Sequence, residues 1–221
     1  MKKSSSPARR TPPSTVPARI LEAARVRLFT YGYSALLMDE LAGELGMSKK
    51  TLYAHFPSKE AIVGAIIDGV GEAIRSRMDA ILTDPKLNFA QKLAGVIDVV
   101  GSNLAKASPG MLHDLQRYAP PLYQKIDDVR RRNVPVVFGR LIRAGLAEGK
   151  VRAEIDPDFA VEFWLQAIRG LVHPDVLEHT GLTPRQTLER AIHLFFSGLL
   201  TSTGHKDYEK LLASREQPAA V

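Results

Sequence analysis

Apolar residues recur along this chain at three- and four-residue intervals, and no run alternates apolar with polar as a half-buried strand would. Ile20, Leu21, Ala24, Leu28 and Phe29 form one face of a first helix, which Pro17 opens and Gly32 ends. Met38, Leu41, Ala42 and Leu45 fall at i, i+3, i+4 and i+7, a second and shorter stripe. Gly46 can leave a helix in the left-handed conformation without a steric penalty, and Ser48 can then cap a third helix. That helix turns Leu52 and Phe56 inward and spreads Lys49, Lys50, Thr51, Tyr53 and His55 over the rest of its surface. Pro57 breaks the chain and Ser58 caps a fourth helix to about Leu82, with Ile62, Ile66, Val70, Ile74, Met78 and Ile81 as its stripe.

The remainder continues in the same period. Phe89 to Lys106 carries Leu93, Val96, Ile97, Val100 and Leu104, and Ser108-Pro109 restarts a helix that Pro120-Pro121 ends. A longer helix runs from Leu122 to about Glu148, with Val129, Val136, Val137, Leu141, Ile142 and Leu146 inside and Pro135 expected to kink it. Asp156-Pro157 opens the next, and Thr183-Pro184 with Gln186 in capping-box spacing opens another to about Leu200. After Thr203 the chain turns polar. The expectation is an all-α protein of about nine helices, the first three forming a head. Its divisions fall at residues 1–15 (a basic tail), 16–67 (the head), 68–205 (a helical body for ligand binding and dimerisation) and 206–221 (a C-terminal tail).

Charge adds a direction to this picture. Of the net +6, residues 1–60 hold +5, from ten Lys/Arg against five Asp/Glu. A polyanion is therefore expected at the N-terminal part and a different task for the rest. The tail with Lys2, Lys3, Arg9 and Arg10 reads either as an arm laid along DNA or as a disordered, solubilising leader. Two short helices joined at a glycine, the second presenting lysines and short polar groups, fit a helix-turn-helix whose second helix enters the major groove. An ordinary helical hairpin with solvated lysines has the same spacing.

Residue identity separates those two. The runs ILEAARVRLFTYGY, DELAGELGMSKKTLYAHF and PSKEAIVGAI, from about Ile20 to Ile67, resemble the DNA-binding domain of the tetracycline-repressor-like (TetR) family of bacterial regulators. The resemblance implies a homodimeric, cytoplasmic transcriptional regulator, expected to be a repressor released from a palindromic operator by a small molecule. The expected DNA-binding set is Arg19, Leu37, Ser48, Lys49, Lys50, Thr51, Tyr53, His55 and Lys59, with Thr51 the base-edge candidate and Tyr53 and His55 phosphate contacts as the resemblance implies. Two positions depart from the family pattern: Leu37 stands where a capping Thr or Ser is common, and Lys50 where a glycine is common.

Other chemistry is sparse. There is no cysteine, no metal-ligand spacing among the six histidines, no phosphate loop and no nucleophile elbow, so no metal, cofactor or enzyme activity is expected. No stretch approaches the roughly 20 apolar residues of a membrane span. In the body, His113, Arg117, Tyr118 and Tyr123 flank the double proline, as polar handles of an effector pocket or as the satisfied rim of a helix junction. Trp164 is either core or dimer contact, or a wall of that pocket. The expected lining is Ile66, Val96, Val100, Val137 and Leu141, suiting a mostly apolar molecule with an acidic or phenolic group for Arg117. Phe159, Phe163, Phe195, Phe196 and Leu199 are surplus apolar surface for a twofold interface. The alternative function is a helical ligand-binding protein or enzyme without a DNA role.

Overall fold

The computed structural model describes residues 15–216, and they are helical almost throughout. The helices are α1 (Val16–Tyr31), α2 (Met38–Glu44), α3 (Lys49–His55), α4 (Lys59–Thr83), α5 (Phe89–Leu104), α6 (Pro109–Tyr118), α7 (Pro120–Ala147), α8 (Pro157–Leu171), α9 (Pro174–Thr180), α10 (Pro184–Leu199) and α11 (Ser202–Glu216). The described residues contain no strand, only an isolated bridge between Val151 and Leu200.

Helix starts follow side-chain chemistry. Ser48, Ser58 and Ser108 each accept a hydrogen bond from the backbone N–H three residues on, and Asp156 accepts from Asp158 and Phe159. Thr183 with Gln186, and Asn88 with Gln91, form complete capping boxes. Proline occupies the first turn of α6, α7, α8, α9 and α10, where its missing N–H costs nothing.

The head is α1 to α3 packed on the first turns of α4. Ile20, Leu36, Leu41, Leu52, Ile62 and Val63 are completely buried in it. Arg27 of α1 fastens α2 from outside through Glu40 (2.6 Å) and Glu44 (2.8 Å). In the body α4 and α7 share the most extensive contact, and α8 lies along the other side of α7. At the tightest approach a Cβ on Gly71 of α4 would stand 2.6 Å from Val129, and Asn133 donates from α7 to the Gly71 carbonyl at 3.0 Å. α7 continues through Pro135 as one helix. Val136, expected inside, is 45% exposed, because the buried phase of this helix is Val137, Phe138, Leu141 and Ile142.

Eleven helices stand where about nine were expected. α9 has seven residues, too few for a period to register, and α11 is mostly polar. Tertiary contacts hold α11 instead: Tyr208 is buried, Lys150 pairs with Asp207 at 2.6 Å, and Thr201 bonds the Gly149 carbonyl at 3.0 Å. The segment 206–216, expected as tail, is therefore helix. The N-terminal basic arm (residues 1–14) and residues 217–221 lie outside the described residues. No helix among the described residues is long and apolar enough to cross a membrane.

The docking of α11 turns on Gly204, where a Cβ would collide with the Lys150 carbonyl oxygen. Gly204→Ala is expected to destabilise by about 1–3 kcal/mol in urea unfolding, since the obstacle is backbone and cannot rotate away. Gly69→Ala, in the open on α4, is the matched control and should stabilise by roughly 0.5–1 kcal/mol. Equal shifts in the two variants would mean that α11 is not seated on this loop.

Candidate functional site

The outward face of the head is built from a turn and two short helices. Gly46 takes the left-handed conformation (φ 64°), and Met47 N–H bonds back to the Ala42 carbonyl at 3.0 Å, so α2 ends in a compact reversal. Ser48 then caps α3 by accepting from Thr51 N–H at 3.1 Å. With Leu52 buried as its anchor, α3 exposes Lys49, Lys50, Thr51, Tyr53, Ala54 and His55. The structure thus leaves five of the expected residues exposed around α3, everywhere but on its Leu52 side, with Ser48 at its start.

They are not equally available. Lys49 reaches back to Asp39 of α2 (2.5 Å), an exposed pair worth at most about 1 kcal/mol. Thr51 Oγ1 lies 2.9 Å from Ser48 Oγ, so the two hydroxyls share one hydrogen bond. Lys50 has no ion-pair partner among the described residues and is the free cation of the face. Arg19 is exposed beside the turn, its guanidinium 3.5 Å from the Leu45 carbonyl. Leu37 is the N-cap of α2 but makes no side-chain cap bond, and half of it is exposed. Lys59 is turned elsewhere: its ammonium sits 3.9 Å above the Tyr33 ring, and burial lowers its pKa. Meeting a phosphate would require it to leave that ring.

Tyr33 belongs to a joint between head and body that the sequence reading missed. Asp114 of α6 accepts from Ser34 N–H at 2.6 Å and from the Ser34 hydroxyl, in the loop after α1. Gly32 (φ 88°) makes room: a Cβ there would stand 3.0 Å from Asp114 Oδ2. Beside it the Tyr33 hydroxyl donates to Glu60 Oε1 at 2.5 Å. That bond, with the backbone and Ser58 assisting, holds the Glu60 carboxyl below its ordinary range, while burial and Glu60 push the Tyr33 phenol up.

Behind the head lies a cavity of about 220 Å³ among α4, α5, α6, α7 and α8. Ile66, Val96, Val100 and Val137 line it as expected, and Trp164 is both buried core and cavity wall, stacked on Phe138 at 4.9 Å. Leu141 does not line it and is sealed in the core. The expected handles are displaced too. α6 turns Met111, Leu112 and Leu115 inward, which leaves His113, Arg117 and Tyr118 on the outer side. Tyr123 is half-buried off the cavity, edge-on to His173. The polar groups that do line it are Asn103, Arg130 and Asn133. Arg130 and Asn133 were legible as interruptions of the α7 stripe Ile126, Val129, Val134, Val137. Among the described residues no group of His and acidic side chains could hold a metal.

The surplus apolar set also divides. Phe159 and Phe163 of α8 are 69% and 56% exposed. Phe195, Phe196 and Leu199 instead face the interior, with Phe196 against Phe138 and Phe195, because α10 buries that phase. Leu194, not expected, is 79% exposed beside them in sequence.

A glycine-turned pair of short helices with an exposed basic second helix, ahead of a hollow helical body, defines a helix-turn-helix DNA-binding protein. Residues 20–66 match the family model for bacterial regulatory proteins of the tetR family. Over those residues the chain carries the DNA-binding domain of that family, and it is a DNA-binding transcriptional regulator. It is 24% identical over 181 residues to the HTH-type transcriptional regulator YvaF of Bacillus subtilis, covering 82% of this chain and 94% of the relative. A tetR-family regulatory protein from Rhodococcus RHA1 superposes with a TM-score of 0.55 at 26% identity, over 84% of this chain and 97% of that one. SmeT, the repressor of a Stenotrophomonas maltophilia multidrug efflux pump, has the same fold (TM-score 0.58, 16% identity, 86% and 92% covered).

The joint has a titration signature. Because the folded pKa of Glu60 lies below the ordinary 4.5, its contribution is present above that value and is lost as pH falls through the folded value. Tyr33→Phe removes the donor. The variant is expected to melt lower at neutral pH and to lose less than the parent between about pH 5 and pH 3. Parallel melting curves over that window would show that the Tyr33–Glu60 bond carries no pH-dependent stability.

Proposed function

We propose that this protein is a homodimeric repressor that binds a near-palindromic operator and lets go when a mostly apolar small molecule enters the body. The observation that carries the reading is the continuity of α4, whose first turns pack the head while Ile66, Val70, Ile74 and Met78 line the cavity. A ligand that moves the middle of α4 moves the head with it. Such a regulator works where the chromosome is, so the proposed compartment is the cytoplasm.

Lys50, Tyr53 and His55 are the proposed backbone contacts, with Arg19 from the side and Lys49 after it releases Asp39. Thr51 is the proposed base-edge contact, held in one rotamer by Ser48. Leu37 has no polar atom to offer a phosphate and can only pack against the sugar edge. Two heads would meet successive major grooves about 34 Å apart. Replacing Lys50 with Ala is expected to lower the slope of log K against log salt by roughly 0.9 on duplex DNA. Asp39→Asn frees Lys49 and should tighten the same complex. An unchanged slope and affinity in a Lys49→Ala, Lys50→Ala double variant would reject the α3 face.

The proposed twofold interface uses the exposed parts of α8 and α10, namely Phe159, Phe163 and Leu194. Bulky apolar groups this exposed call for a covering partner. Phe163→Glu should convert a dimer to a monomer at micromolar concentration in sedimentation, and weaken operator binding along with it. If the unmodified protein sediments as a monomer at that concentration, this interface is wrong.

A further inference from the structure

Arg130 is the odd residue of the cavity. Its neighbours on the α7 stripe are apolar, yet it places a guanidinium among walls contributed by Ile67, Val70 and Ile168. It makes no hydrogen bond or ion pair with any described residue. The acid one turn away, Asp127, is already taken, by Arg169 at 2.6 Å and Arg131 at 3.1 Å. Burial pushes the Asp127 carboxyl up, but those two bonds outweigh it and hold the group ionised. Burial likewise lowers the Arg130 pKa from its ordinary 12.5. Arg130 retains some accessible surface, and it lines the cavity. Asp127 offsets the Arg130 charge only from a distance, without a direct bond, and a planar guanidinium is shaped to pair with a carboxylate through two parallel hydrogen bonds.

The other polar groups limit the ligand to one negative charge. The Asn103 amide donates to the Val99 carbonyl (2.8 Å) and the Asn133 amide to the Gly71 carbonyl (3.0 Å). What each keeps is an acceptor oxygen, which disfavours a second anionic group. Size is limited as well. A volume of about 220 Å³ is some seven times the share of one liquid water, room for about eight to ten heavy atoms. A polar groove bearing Asp68, Glu72, Arg75 and Arg132 adjoins the cavity at the α4–α7 contact, sharing Gly71, Val129 and Asn133 with it. Arg130 directly follows Val129 at this contact between α4 and α7.

We infer that the cavity is a site for a small monocarboxylic acid with an apolar tail, its carboxylate paired with Arg130 beside the α4–α7 contact and its tail directed toward Trp164. This names the ligand class for the effector role proposed above and rests on that reading only for its consequence at DNA, not for binding.

The test uses the full chain without DNA and three probes of matched length: octanoate, 1-octanol and octylamine. Calorimetric titration and thermal shift should show saturable binding of octanoate, at least tenfold weaker binding of 1-octanol, and none of octylamine. Arg130→Met should abolish the preference of acid over alcohol while leaving the weak alcohol binding. The unliganded variant should melt no lower than the parent, because a desolvated cation has been removed. Arg130→Lys keeps the charge but not the paired donors and should retain part of the preference. Equal binding of octanoate and octanol, an undiminished preference in Arg130→Met, or no binding of octanoate would each overturn the assignment. Operator affinity is then measured with and without octanoate. Binding through Arg130 with unchanged operator affinity leaves the acid site standing and removes the release mechanism. A protein that releases its operator to other compounds but ignores octanoate removes the acid site alone.

Discussion

An α-helix transmits displacement because bending it sharply breaks backbone hydrogen bonds, and α4 has no proline along its 25 residues at which to yield. At 1.5 Å per residue it spans about 37 Å, long enough to belong to two structures at once. Ile62 and Val63 are completely buried in the head, and four residues later Ile66 and Ile67 already face the cavity. Any division of the chain near residue 67 therefore cuts a helix rather than a linker. The head has no independent orientation: where α4 points, α3 follows.

A second connection fixes the rotation of the head about that helix. Asp114 grips the loop after α1 through both carboxylate oxygens, and the apolar face of the same helix α6 lines the cavity with Met111, Leu112 and Leu115. α6 is ten residues long, so its two faces respond together to anything that shifts it. Cavity and head are linked by the long helix α4, by α6 in lateral contact, and by α1, whose Leu28 and Phe29 line the cavity. The position of Gly32 in the left-handed region, with Asp114 against the space a Cβ would occupy, shows how closely the loop is fitted to α6.

Much of this was readable from residues alone, and the parts that were not share a cause. Caps at Ser48, Ser58, Ser108, Asp156 and Thr183 are local chemistry, and so are the stripes of α1, α4 and α5; both appear in sequence because the deciding atoms lie within four residues. α11 did not, since its helicity depends on Asp207 and Gly204 meeting a loop some fifty residues earlier. The cavity handles failed for a phase reason. His113 and Arg117 are four apart and share a face, but that face is the one opposite Met111 and Leu115. Aromatic residues misled similarly at Phe195 and Phe196, where richness in apolar side chains reported an aromatic core with Phe138 and Trp164 rather than a surface.

An apolar stripe is the expected product of packing and says little about purpose, so the informative positions are the ones where it is interrupted. On α7 the interruptions are Arg130 and Asn133, three apart and both at the wall of the cavity. A core built only for stability would fill those places with Leu or Ile, because a desolvated cation opposes folding unless something pairs with it. Asn133 finds its partner inside the protein, at the Gly71 carbonyl, and so serves the α4–α7 contact. Arg130 finds none. Of two polar residues on one stripe, one completes the fold and the other leaves a charge for a molecule the fold does not contain.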